Sequence, residues 1–198
     1  MPPVPAELRG RLLVAAPSLL DPSFVRTVVL LLEHQADEGA LGVVLSRPSR
    51  TPVGEILPGW DEVVDAPPVV HVGGPVSPSS AIGLAAVPAR DSDALPTSSF
   101  APLPSARASG LVLGTVDLDA DPAAVGAAVA SMRIFAGYAG WTAGQLEAEI
   151  AEGAWYVVDA LPLDAFAAEP ELLWSAVLTR QGPPLSLVTR MPPDPSLN

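Results

Sequence analysis

Hydrophobic side chains fall along this chain in short runs, closely spaced and interrupted by glycine, proline and acidic residues. Runs of four to eight apolar or β-branched residues between turn signals predict strands. On that basis strands are expected at residues 11–16 (RLLVAA), 26–34 (RTVVLLLEH), 42–45, 69–72, 81–87, 110–116 and 154–158. Asp37, Glu38 and Gly39 separate the second and third runs, so these two should form a hairpin. Asp21 followed by Pro22 predicts a capped helical turn. Thr51-Pro52 opens a short helix to about residue 57, which Gly59 ends. Gly73-Gly74-Pro75 reads as a turn. Asp121-Pro122 caps an alanine-rich helix predicted to run through Met132, with Val125, Val129 and Met132 on one face. A further helix is expected at 170–178, stopped by Gly182-Pro183-Pro184. Residues 88–109, with their prolines and serines, read as an irregular surface loop.

The stretch RIFAGYAGWTAGQLEAEIAEG, residues 133–153, predicts a strand, a corner and a helix. Ile134, Phe135 and Tyr138 supply bulky strand formers. Thr142 and Gln145 have the spacing of a capping box, in which each side chain serves the other's backbone N–H. Trp141 and Leu146 have the spacing of a hydrophobic staple, and Leu146 and Ile150 share a buried face. Glu147, Glu149 and Glu152 are expected to face water, and Gly153 to close the helix in a left-handed conformation. The whole pattern gives an α+β fold with a mixed sheet, as one domain over residues 9–189 with flexible tails at 1–8 and 190–198.

Composition narrows the chemistry. Of 198 residues 49% are hydrophobic, yet no run reaches the ~18 apolar residues that a membrane helix needs. The early apolar run is broken by Pro17 and Asp21, so it reads as a strand rather than a signal peptide, and a cytoplasmic protein is expected. With no cysteine, disulfides and thiolate chemistry are excluded. With no lysine, all ten basic residues being arginine, Schiff-base chemistry and a P-loop lysine are excluded too. The net charge of −12 repels phosphate backbones, so direct nucleic-acid binding is not expected.

Few residues carry candidate chemistry. The two histidines are His34, next to Glu33 at a strand end, and His71, just before Gly73-Gly74. Were those strands neighbours, Glu33, His34 and His71 could gather in one pocket, with the glycine N–H groups facing an anion. The bland alternative gives His34 a polar strand tip and His71 a satisfied hydrogen bond. Asp21 and Arg26 form a polar cluster, either a small ligand site or a turn cap with an ion pair. Tyr138 and Trp141 could stack on a ligand or pack in the core. There is no Gly-x-Ser-x-Gly elbow. No catalytic residue, metal site or cofactor is assigned, and the balance favours a binding protein over an enzyme.

Four ordered segments carry a family resemblance: GRLLVAAPSLLDPSFVRTVVLLLEH (10–34), ALGVVLSRP (40–48), VHVGGPV (70–76) and RIFAGYAGWTAGQLEAEIAEGAWYVVDA (133–160). Together they resemble the AlgH/YqgE family of small bacterial proteins. The resemblance implies one α+β domain whose largely antiparallel sheet curls into a pseudo-barrel with helices outside. It implies a regulatory role, labelled transcriptional, and brings no enzymatic activity, substrate or cofactor. A protein partner or a small ligand is the expected contact. The chain departs from the family pattern at Ser46, where Asn precedes Arg-Pro in relatives, and at Leu84-Ala85, where relatives read Leu-His.

Overall fold

A computed structural model gives the architecture, with residues 7–92, 96 and 98–191 described. Ten strands among them form one curled sheet: β1 (Arg11–Ala15), β2 (Val28–Gln35), β3 (Gly39–Val44), β4 (Pro48–Pro52), β5 (Val69–Val72), β6 (Val76–Pro88), β7 (Phe100–Ala108), β8 (Leu111–Val116), β9 (Ser131–Trp141) and β10 (Trp155–Asp159). The main path runs β10-β1-β2-β3-β9-β6-β8-β7, with β4 and β5 branching beside β9. Every pairing is antiparallel except β5 with β9. This is a half-barrel with peripheral helices: α1 (Val53–Ile56), α2 (Pro122–Gly126), α3 (Gln145–Ala151), α4 (Leu173–Arg180) and α5 (Leu185–Val188).

The early apolar runs are nearly continuous because both faces of their strands are covered. Leu12, Val14, Val28, Leu30 and Leu32 face an inner cluster closed by Trp174, Val177 and Leu178 of α4. Their neighbours Leu13, Ala15, Val29 and Leu31 face a second cluster under Leu146 and Ile150 of α3. A third cluster lies on β6, β8 and β9, where Ala85, Val112 and Ile134 meet Val53, Trp60 and Val125. Trp174 Nε1 donates to the Ala15 carbonyl at 2.8 Å, fixing α4 to β1 across 159 positions of sequence.

The strand at 69–72 and the hairpin around residues 35–39 lie as the sequence predicts. Three expectations are corrected. Part of the 88–109 loop is strand β7, paired with β8. Its Pro102 needs no ladder donor on the outer side, because β7 is the last strand of the sheet and bulges between Pro102 and Arg107. The helix expected through Met132 ends at Gly126, since residues 131–136 are claimed by the ladder with β6. Leu8, assigned to a flexible tail, is fully buried in the second cluster; tail residues 1–6 and 192–198 lie outside the described residues. The capping box is half made: Gln145 Oε1 accepts from the Thr142 N–H at 3.1 Å, but the Thr142 hydroxyl also donates to Gln145. Gly144, left-handed at φ +73°, starts α3 instead.

One buried charge ties the sheet to its cover. Arg133 of β9 is 7% exposed and donates to the carbonyls of Ala165 and Ala167 at 3.1 and 2.7 Å. Those carbonyls belong to the short turn that leads toward α4. Burial lowers the arginine's pKa from its ordinary value, against the nearby charge of Asp65. Arg133→Ala should therefore lower unfolding free energy by about 3 kcal/mol, since it strands two buried carbonyls. Urea denaturation checks this, and a loss under about 1 kcal/mol would show the turn rehydrates at no cost.

Candidate functional site

The long strand β9 decides where the candidate residues go. Its C-terminal half pairs with β3, Ala40 facing Trp141, while its N-terminal half pairs with β5, His71 facing Phe135. His34 pairs with Ala40 and so sits near the Trp141 end. Those two points, Phe135 and Trp141, are six residue steps apart along β9, roughly 20 Å at about 3.3 Å per residue. Trp141 and Phe135 also face different clusters. Glu33, His34 and His71 therefore do not share a pocket, because β3 and β5 take successive stretches of β9 rather than lying side by side. Among the described residues, no group of three or more His, Asp or Glu side chains is placed to hold a metal ion.

At the Trp141 end, Glu33, His34, Gln35, Glu38 and Trp141 line a shallow depression of about 360 Å³. His34 Nε2 lies 2.8 Å from Glu147 Oε1 of α3. Glu149, two residues further along α3, accepts from the indole N–H groups of Trp141 and Trp155 at 2.9 and 2.8 Å. The expectation that Glu147 and Glu149 face water is thus corrected. Both are half-buried acceptors that lock α3 onto β2, β9 and β10. Trp141 and Trp155 meet edge to face at 6.0 Å, with Phe24 against both. Sequence signals for this cluster were present in the two tryptophans, but the acid between them was read from helix periodicity alone.

At the other end His71 is 3% exposed, tilted against Phe135 at 5.5 Å, and its Nδ1 has no hydrogen-bond partner among the described residues. The satisfied hydrogen bond expected for it is therefore missing at that nitrogen. Burial and then the positive charge of Arg133 lower its pKa from 6.5 to about 4, with the Val69 backbone and Glu171 pulling the other way. His71 is accordingly a neutral core group at physiological pH.

Gly73 and Gly74 are held by packing. Gly73 N–H donates to Ala136 at 2.8 Å and its carbonyl accepts from Val44 at 2.7 Å, so the residue bridges β3 and β9 where they part. A Cβ on Gly73 would overlap the Gly137 carbonyl, and one on Gly74 the Tyr138 backbone. Tyr138 is half-buried against the inner cluster. Asp21 caps its turn, accepting from Ser23 N–H at 2.7 Å. Among the described residues Arg26 pairs with no carboxylate. Its guanidinium stacks 4.8 Å from the Trp174 ring and donates to the Met191 carbonyl at 2.7 Å. The Leu84-Ala85 position is packed core, both residues being fully buried.

The sequence reading missed a cleft of about 180 Å³ lined by Ser23, Val44, Arg47, Val72, Gly74 and Pro75. Nothing in local periodicity shows that the 21–25 turn lies across β3 from the glycine connection.

The fold and these contacts define a class: an α+β half-barrel whose chemistry-bearing groups are largely tied into its own packing. The AlgH-like family pattern matches residues 12–186. A UPF0301 protein of Streptomyces coelicolor is 52% identical over 193 residues, covering 98% of this chain and 96% of its own length. One from Thermobifida fusca is 50% identical over 191 residues, with 96% of each covered. A crystal structure of a Corynebacterium diphtheriae protein superposes with a TM-score of 0.81 at 37% identity, over 94% of this chain and 93% of that one. The solution structure of AlgH from Pseudomonas aeruginosa gives 0.65 at 31%, over 97% and 98%. The chain belongs to the AlgH/UPF0301 family of bacterial proteins.

Two outcomes follow from this geometry. Between pH 6.5 and 4 the unfolded chain protonates His71 while the folded chain does not, so stability is full above pH 6.5 and falls as pH drops. His71→Gln should remove roughly 3 kcal/mol of that decline, measured as the difference between wild-type and variant denaturation curves across the window. Separately, Gly73→Ala should cost more than about 2 kcal/mol by denaturation, since its methyl meets rigid backbone. Gly110→Ala, with φ +75° and open space around it, should cost only about 1 kcal/mol.

Proposed function

We propose that this chain is a cytoplasmic binding or regulatory protein that works through contacts with a small ligand or another protein, and is not an enzyme. One observation carries the reading. The groups that could serve as acid, base or electrophile are mostly committed to the fold: His34 to Glu147, Glu149 to two indoles, Arg26 to Trp174, Arg133 to two carbonyls. Moving any of these toward a substrate would break an intramolecular bond and cost part of the stability it supplies.

Regulation of transcription fits this reading only through a partner. Formal charge is −12, and the described arginines are dispersed over several elements, most of them already bonded. Such a surface offers no basic face to a duplex. Among the described residues no helix is long and apolar enough to cross a membrane, so a lipid-spanning role has no support there.

A thermal-shift screen of the purified chain against metabolites, paired with a search for turnover of each hit, tests the reading. A binder raises the midpoint without being consumed, because a ligand that favours the folded state stabilises it by RT ln(1 + [L]/Kd). Catalytic turnover of any hit, abolished by His34→Ala or His71→Ala in a folded variant, would overturn it.

A further inference from the structure

The cleft beside Arg47 stands apart from the other polar clusters because its donors are not consumed. Arg47 follows β3 and Ser46, and its backbone is pinned by the Val72 N–H at 2.8 Å. Its guanidinium makes one bond, Nη2 to the Pro22 carbonyl at 2.8 Å, which holds the side chain against the 21–25 turn. No carboxylate among the described residues pairs with it. Among those residues Arg26 and Arg133 also lack a carboxylate partner, but Arg26 lies over the Trp174 ring and Arg133 donates to two carbonyls, so neither leaves its fork open as Arg47 does. Asp21, next to the Pro22 whose carbonyl holds the guanidinium, accepts from the Ser23 N–H at 2.7 Å.

The cleft walls complete the picture. Ser23 contributes a hydroxyl with no intramolecular partner among the described residues, and Gly74 presents bare backbone. Val44 and Val72 form the apolar sides, and these strengthen an electrostatic contact by excluding water. The backbone at Gly74 is fixed, because a side chain there would strike Tyr138. Arginine presents a planar fork suited to two oxygens of one oxyanion.

From this juxtaposition we propose that the Arg47 cleft binds a small oxyanion, a phosphate or carboxylate group, with Arg47 as the charged anchor and Ser23 as a second donor. The volume of about 180 Å³ is below the range of about 300 Å³ and upward for drug-sized ligands, so the cleft takes a small anion or the anionic head of a larger molecule. The exposed Val72 and Val76 side chains, 42% and 37% accessible, lie along the connection that borders it and would meet an apolar remainder. The proposal rests on the binding-protein reading and names its ligand class.

Titration of the full chain with inorganic phosphate, and separately with acetate, under constant ionic strength tests it. The amide signals of Ser23 and Gly74 and the Arg47 Nε–H are followed by NMR. Saturable shifts confined to those signals are expected with one anion, and the anion that saturates identifies phosphoryl or carboxylate chemistry. Arg47→Gln should weaken that binding roughly tenfold or more, the loss typical of one charge-assisted partner. Ser23→Ala, which leaves the Pro22 contact intact, should weaken it less. Absence of saturation by either anion at millimolar concentration overturns the proposal. So does binding unchanged in a folded Arg47→Gln variant. A metabolite found by thermal shift that binds that variant as tightly as wild type would overturn the Arg47 site and leave the broader binding reading standing.

Discussion

The structure depends on one strand serving three neighbours. Along one edge of β9 run β3 and then β5; along the other runs β6. β5 and β6 lie on opposite edges of β9 but are joined only by residues 73–75, so that connection must cross very close to the backbone of β9. Gly73 makes that passage, bonded to Ala136 on one side and Val44 on the other. Gly137 answers from β9 with φ +70°, where its own Cβ would strike the carbonyls of Gly74 and Val76. On the far edge β6 bulges between Val76 and Ala81 at the same level. Backbone meeting backbone leaves no side chain to move aside, so glycine is required there by steric exclusion. The junction sets the curl of the sheet and holds the two histidines apart.

Much of this was legible where the determinant is local. The hairpin at Asp37–Gly39 announces itself by turn residues between apolar runs, and Gly153 by its place after a helical face, where it adopts φ +81°. Strand β5 reads directly from Val69–Val72. The failures share a cause: tertiary demand overrode a correct local preference. Residues 122–132 are good helix formers, but the ladder from Ala86 to Ala81 of β6 needed residues 131–136 as strand. The prolines of β7 argued against a strand, and would have been right anywhere but at the end of a sheet. Glu149 was placed in water by periodicity, which cannot see that two tryptophans distant from it in sequence by eight and six positions would converge on its carboxylate.

The family resemblance supplied the half-barrel, which composition and periodicity alone did not. It could not supply the site. Its motif residues turn out to divide into two kinds. The Gly-Gly pair, Trp141 and Arg133 belong to the junction and its anchoring, and their places follow from packing. Arg47 does not: the residue is half-buried, and among the described residues its guanidinium bonds only one carbonyl.

That asymmetry bears on how an acidic protein can bind an acidic ligand. A charge of −12 raises a general barrier to any anion, but at physiological ionic strength the barrier is screened over about 8 Å. Within that distance the local arrangement governs, and an arginine whose fork is not neutralised outweighs dispersed surface carboxylates that lie farther off. Commitment of four other arginines then becomes part of the selectivity. Arg9 and Arg11 face Glu33 and Asp159, Arg180 faces Asp164, and Arg26 lies over Trp174. Each of these four is occupied by a partner in the fold, whereas Arg47 keeps donors available among the described residues at the branch of the sheet, where β3 parts from β9 and the glycine connection has already fixed the backbone in place.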